Sequence, residues 1–483
     1  MIKNIQGVEA YQNYVNGEWV DYERNYVEVH SPIDHQLIAY VPKNSTHDVD
    51  MAFASARKAS KKWENTPTSK RVEYLYKAAD LLEERVDVIA NVMMTEIAKD
   101  LKSCISEVKR TADYIRFSAD SAKNIAGESI PGDLFPGYTQ DKWSIVSRVP
   151  LGVVLAISPF NYPINLSASK IAPALAVGNT VVLKPASQGV LSALHLVKAF
   201  ADAGLPAGVL NTITGKGSEI GDYVVNHGEV DFINFTGSSK VGKSIAKQVA
   251  MKPLLMELGG KDAAIVLSDA NLDVAAKNIV AGAYSYSGQR CTALKRVIVV
   301  EEIADKLVEK LKVQVKKLRV GNPKEDVVIT SLIDKKAADF VEELIDDARL
   351  KGATFVVEGK RENNLIYPYL IDHVSEGMRL AWEEPFGPVL PIIRVNDVDE
   401  AIRIANDSEY GLQSSIFSES IDHAFYVAKQ LEVGSVQINN KTERGPDHFP
   451  FVGVKSSGIG TQGIRYSIEA MTRLKAIVLN IKE

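Results

Sequence analysis

The feature that most constrains this chain is an alternation. From about residue 148, short apolar runs are each followed by a Gly-bearing loop and then by a stretch of helical periodicity. VPLGVVLAISP, NTVVLKPAS, GVLNTITG and VDFINFTGS are the runs, and LSALHLVKAFADAG is one of the helical stretches between them. Strand–loop–helix repetition with apolar, non-alternating strands predicts a parallel sheet covered on both faces by helices. A second series starts near KDAAIVLSDA and continues through LKRVIVVEE, ATFVVEG, VLPIIRV and GSVQINN. The chain is therefore divided near Leu258 into an earlier and a later α/β lobe.

Upstream, YVNGEWV reads as two strand pieces joined at Asn-Gly, a tight-turn signal. Helical patterns follow from about Asp48, and a third helix, roughly 104–124, carries Arg110. The Gly-, Pro- and Asp-rich stretch 127–142 reads as a crossover between units. LKAIVLNIKE at the C-terminus reads as a charged-ended strand and an interaction arm.

At 483 residues the chain is too long for one ordinary core, so two or three packed lobes are expected. A net charge of −5 argues against binding to nucleic acid or an anionic membrane. Two cysteines, Cys104 and Cys291, do not make a disulfide framework and fit a reducing compartment. The first twenty residues show no signal-peptide pattern, and no apolar run approaches the roughly 20 residues that span a bilayer. A cytoplasmic protein is expected. The eight histidines are scattered, so no metal site is expected.

A few residues carry possible chemistry. Cys291 lies in SGQRCTALKR, where a neighbouring guanidinium would favour the thiolate; a buried structural cysteine is the bland alternative. Cys104 lies on a helix without supporting motif and is read as packing. Glu257, in LLMELGGKD, is a lone carboxylate at the end of an apolar strand, the pattern of a general base or else of a salt bridge. Asn161, in ISPFNYPINL, is an amide able to donate to an oxyanion, or simply a turn residue. Lys184 in VVLKPAS follows a strand and could meet a ribose or phosphate. Gly237, Ser238 and Gly242 in FTGSSKVG open a helix after a strand, exposing N–H groups to a phosphate. TGKGSEIG nearby reads mainly as a turn. Glu384 and Phe386 in EEPFGPV could hold a ribose and face a nicotinamide ring.

Together, SPFNYP, VVLKPAS, GLPAGVLN, FTGSSKVG, MELGGKD, GQRCT, EEPFGPV and FPFVGVKSSG resemble the aldehyde dehydrogenase superfamily, in its order and spacing and over nearly the whole chain. Glu257 and Cys291 stand 34 positions apart, as in that superfamily. The resemblance implies an α/β fold with a Rossmann-like cofactor domain (1–126 and 148–258), an α/β catalytic domain (259–450) and a small β oligomerisation element (127–147 and 467–483). It also implies roles. Cys291 is the nucleophile, Asn161 and the Cys291 N–H hold the oxyanion, and Glu257 activates the deacylating water. The substrate is oxidised as a thiohemiacetal and released from a thioester. A homotetramer is implied.

Within the superfamily the chain is similar to the non-phosphorylating glyceraldehyde-3-phosphate dehydrogenases, notably over TERGPDHFPFVGVKSSGIGTQGIRYSIEAMT and at Arg290–Cys291. Members bind the substrate phosphate with arginines and a tyrosine, which match Arg110, Tyr162, Arg290 and Arg444; Thr292 adjoins the nucleophile. Guanidiniums suit a phosphate ester, and Arg444→Leu is expected to lose preference for it. Ser187 stands where NAD-preferring relatives often have Glu, three residues from Lys184, so NADP is expected over NAD. Ser158 and Asp222 match cofactor-contacting positions. Three rivals remain: a dehydrogenase of another aldehyde such as a semialdehyde or lactaldehyde, an acylating enzyme, and a non-catalytic protein on the same scaffold.

Overall fold

A computed structural model describes residues 1–21 and 25–481. The expected oligomerisation element at 467–483 thus has its last two residues outside those described.

The first lobe is built on a six-stranded sheet. Its order is Leu210–Thr212, Thr180–Pro185, Val153–Ser158, Phe232–Thr236, Leu254–Glu257 and Gly458–Ile459. The first five strands are parallel, and only the short C-terminal strand runs antiparallel. The chain order reverses at Val153–Ser158, so a crevice opens at the C-terminal ends of the central strands. Helices cover both faces, which is why strands such as TVVLKP are buried along their whole length.

The second lobe holds a seven-stranded sheet, ordered Thr354–Val357, Tyr369–Asp372, Val389–Val395, Arg296–Val300, Ala263–Val266, Gln413–Phe417 and Ser435–Ile438. All its neighbours are parallel except the first pair. The chain passes from one sheet to the other between Glu257 and Ala263, beside the division read from the sequence at Leu258. Two of these strands, Tyr369–Asp372 and Gln413–Phe417, were not anticipated. Gln413, Ser414 and Ser415 are buried polar residues, and their strand is specified by its neighbours rather than by its own hydrophobicity.

The stretch 127–142 is not a bare crossover. Glu128–Pro131 pairs with Lys142–Pro150, and the latter pairs along nine residues with Thr472–Asn480. This three-stranded antiparallel sheet leaves Leu474, Ile477, Val478 and Leu479 exposed. At the N-terminus, Asn16 and Gly17 turn with positive φ (52° and 85°), joining Asn13–Val15 to Glu18–Val20 as their dipeptide implies. Among the described residues no helix is long and apolar enough to cross a membrane, and no cluster of His, Cys, Asp or Glu could hold a metal ion.

Candidate active site

A cleft of about 540 Å³ lies at the C-terminal ends of Val153–Ser158, Thr180–Pro185 and Phe232–Thr236. Of the residues singled out in the sequence, Ser158, Asn161, Lys184, Ser187, Gly237, Ser238, Cys291, Glu384 and Phe386 line it. Gly242 sits one helical turn inside, packed so closely that a Cβ there would lie 2.5 Å from Leu258. Asp222 is not brought into the cleft; it is exposed on the helix Gly217–Asn226, accepting from Gln248 at 3.0 Å. Gly217, in the motif read as a turn, does line the cleft.

The cleft suits a dinucleotide. The Lys184 ammonium is buried with a single carbonyl acceptor, Gly215 O at 3.2 Å, and burial pulls its pKa down to about 8. A nearly unpartnered cation beside the neutral Ser187 fits an anionic or hydroxylated group. Ser238 caps the helix Ser239–Gln248 through Val241 N, leaving that helix N-terminus beside the cleft. At the far end Phe386 adopts φ 50°, which a bulky side chain holds only when its surroundings enforce it; its ring meets Phe160 edge to face.

Cys291 follows a strained approach. Tyr286, Ser287 and Gly288 have φ of 53°, 53° and 73°. A Cβ on Gly288 would strike the Gly387 carbonyl at 2.4 Å, so only glycine fits. Ser287 Oγ is exchanged with the Thr330 backbone, and Gln289 Oε1 accepts from Ile333 N, which pins the segment. The Cys291 thiol lies 3.5 Å from Glu257 Oε1. Burial, then Glu257, push the thiol pKa up, while Lys295 and Arg444 act the other way. The adjacent Arg290, expected to favour the thiolate, is spent elsewhere: its Nη2 donates to the Gly282 carbonyl at 2.5 Å. Lys295 takes that position instead, donating to the Cys291 carbonyl and pairing with Glu384 at 3.1 Å. Cys104 is buried against the Lys99 carbonyl.

Glu257 ends its strand directly opposite Thr236 in the parallel register. Its Oε2 accepts from Arg444 Nη1 at 2.8 Å and from Thr236 Oγ1 at 3.4 Å. Thr236 in turn accepts from Lys170 Nζ at 2.7 Å. Lys170 lies in a wholly buried helix, and burial brings its pKa down to about 7. Lys170 was invisible in the sequence, since it sits in no recognisable motif; Thr236 stands in FTGSSKVG but was not singled out there. Asn161 Nδ2 donates to the Gln289 carbonyl at 3.0 Å, two residues before Cys291.

Beside Glu257 lie two arginines, each paired with a carboxylate. Arg444 bridges Glu257 and Gln462 Oε1 at 2.8 Å each, with Asp447 at 3.7 Å. Arg110 grips Asp447 in a two-point pair at 2.6 and 2.8 Å and donates to the Arg444 carbonyl. Tyr162 is near enough to act on the Arg110 charge. Arg110, Tyr162 and Arg444 thus converge, and Arg290 does not join their hydrogen bonds. Thr292 is buried beside the nucleophile, its carbonyl accepting from Thr442.

The comparisons agree with this geometry. The model of the "Aldehyde dehydrogenase family" matches residues 19–477. An NADP-dependent glyceraldehyde-3-phosphate dehydrogenase of Streptococcus equinus is 56% identical, over 98% of this chain and 99% of its own. The enzyme of that name from Pisum sativum is 49% identical, over 98% and 96%. A crystal structure of an NADP-dependent glyceraldehyde-3-phosphate dehydrogenase from Bacillus halodurans C-125, complexed with NADP, superposes with a TM-score of 0.97 at 52% identity, covering 98% of this chain and all of that one. With its two sheets, its cleft and the Cys291–Glu257 pair, the chain belongs to the aldehyde dehydrogenase family.

Proposed function

We propose that this enzyme oxidises D-glyceraldehyde 3-phosphate to 3-phosphoglycerate with NADP and water, using no inorganic phosphate. The observation that carries the reading is the placement of the thiol 3.5 Å from a carboxylate that is itself bound to Arg444, beside Arg110. A reacting aldehyde and its phosphate would thus lie side by side in one site. The relatives' printed names support the same substrate and cofactor.

The Cys291 sulfur adds to the aldehyde carbon. Asn161 Nδ2, 3.0 Å from the Gln289 carbonyl, is placed to turn its donation to the oxyanion. Bound nicotinamide supplies the hydride acceptor. Glu257 takes the proton of the water that attacks the thioester, and Thr236 and Lys170 lead from its Oε2 into the interior as a hydrogen-bonded path. Lys184 and Ser187 hold the adenosine end and tolerate a 2′-phosphate. Ser158, Gly237, Ser238, Glu384 and Phe386 complete the cofactor cleft; Asp222 is left out of it. Arg110, Tyr162 and Arg444 take the substrate phosphate, with Arg290 and Thr292 supporting the nucleophile segment. The exposed strand Thr472–Asn480 joins subunits into a tetramer. Two unpaired cysteines fit a cytoplasmic home.

The test is NADPH formation with glyceraldehyde 3-phosphate in buffer free of phosphate and arsenate. Formation of 3-phosphoglycerate, far slower with NAD or unphosphorylated glyceraldehyde, supports the reading. Turnover confined to another aldehyde would remove the phosphate pocket from it.

A further inference from the structure

Behind the substrate site lies an ion pair that no reaction step uses. Lys99 and Glu107 are both about 1% exposed and meet at 2.6 Å. Lys99 follows Ala98, which is held at φ 52°, a left-handed conformation that alanine seldom adopts. Its ammonium also donates to the Asn161 carbonyl at 3.2 Å and sits 3.5 Å from the centre of the Tyr162 ring. Glu107 spends its other oxygen on Ile164 N and Asn165 N, at 3.1 Å each. Both ends of the loop 161–165 are therefore tied to one buried pair. Glu107 stands on the helix Leu101–Lys123, and Arg110 follows one turn later on the same helix.

A buried ion pair is a poor source of stability, because desolvation offsets the attraction; apolar residues of the same volume often serve as well. Here the hydrogen bonds of these side chains to the rest of the chain fall on a loop bearing an oxyanion donor and a phosphate-site tyrosine, and the ammonium also stands 5.0 Å from the centre of the Tyr286 ring in the approach to Cys291. We propose that Lys99 and Glu107 are positioning residues, which hold Asn161 and Tyr162 in register with Cys291 and, through the shared helix, with Arg110. This rests on the function proposed above. The pair touches no substrate; it fixes where the donor amide stands when charge develops on the substrate oxygen, and a displacement of about 1 Å at such a donor costs on the order of a hundredfold in rate.

The test is a double-mutant cycle on the first-turnover rate of NADPH formation, measured by stopped flow with saturating NADP and glyceraldehyde 3-phosphate. Lys99→Met is expected to slow that rate by about ten- to a hundredfold, with NADP affinity unchanged in a fluorescence titration. In an Asn161→Ala background the same change should add no more than about twofold, because at saturating substrate the rate reads the donor amide, which is already gone, and not the phosphate site that Tyr162 and Arg110 serve. Lys99→Arg, which keeps the charge, should restore part of the rate. If Lys99→Met does not fold, Glu107→Gln serves in the same cycle, since its amide oxygen still accepts from Ile164 and Asn165. Fully multiplicative losses in the Asn161→Ala background would overturn the proposal. So would a lowered burst amplitude at unchanged rate, the mark of a merely misfolded fraction. An inert parent enzyme would sink the function and this role together; an active parent with multiplicative variants sinks only the role.

Discussion

At Cys291, burial and the Glu257 carboxylate raise the thiol pKa while Lys295 and Arg444 oppose them. The thiolate is the reactive form, so a raised pKa means that alkylation of the cofactor-free enzyme should climb with pH only above the ordinary thiol range of about 8.5. Glu257→Gln removes the second-largest raising influence. It should speed iodoacetamide labelling at pH 8 by about threefold or more, while abolishing release of the acid product in a quench assay. Labelling slowed by that substitution would refute the electrostatic account. Arg444→Leu is a poor probe of the phosphate pocket, because Arg444 also donates to Glu257. Arg110→Leu is cleaner: KM for the phosphorylated aldehyde should rise about tenfold or more, with unphosphorylated glyceraldehyde little affected, and equal losses on both would show that Arg110 does not read phosphate. Cys291, Glu257 and Asn161 were legible because each sits in a short motif. Lys170 sits in no motif, and Thr236, Lys295 and Asp447 stand inside motifs read for other residues; the partners Thr236, Glu257, Glu384 and Arg110 all lie at least 21 positions away in sequence. Arg290 shows the converse, since adjacency in sequence to the nucleophile did not place its guanidinium there.

The helix Asn165–Ala176 encloses a lysine that burial brings down to about pH 7 from an ordinary 10.5. Between those values the unfolded chain binds more protons than the folded one, so the destabilisation tied to Lys170 is full and constant below about pH 7 and is relieved as pH rises from 7 to 10.5. Lys170→Met should therefore raise Tm by several degrees, on the order of a few kcal/mol, at pH 7 and by much less near pH 10, while slowing thioester hydrolysis. A lower Tm at pH 7 would show that its bond to Thr236 outweighs its desolvation. The sequence was most informative about elements of this kind in the first lobe, where strands such as VVLAIS are apolar throughout; the helix starts were read a few residues late, because the capping residues Ser45 and Asp100 were passed over. It was least informative where polar strands borrow their place from neighbours, as in QSSIF, and in the stretch 127–142, whose turn-rich composition hid a strand specified by pairing with Lys142–Pro150.

Over the whole molecule, the two large sheets meet around the cleft, and the three-stranded sheet has a long edge that is unpaired among the described residues. Nine residues, Thr472–Asn480, are paired on one side only and carry exposed Leu474, Ile477 and Leu479. Edges of that kind attract another strand unless charged. Ile477→Lys should lower the particle mass seen by light scattering from that of the proposed tetramer toward smaller species, and an unchanged mass would mean that this edge joins no subunits. The strand Gly458–Ile459 pairs with Leu254–Glu257 at the edge of the first sheet, and Ser457 accepts from Leu258 N. The consequence is temporal. A chain emerging from the ribosome exposes Asn161, Glu257 and Cys291 in turn, yet the strand Gly458–Ile459 that pairs beside Glu257 is made after all three. Catalytic competence thus waits on a strand that follows Asn161, Glu257 and Cys291 in the chain, and a polypeptide stopped before Gly458 carries those three groups without the clamp that would set them to work.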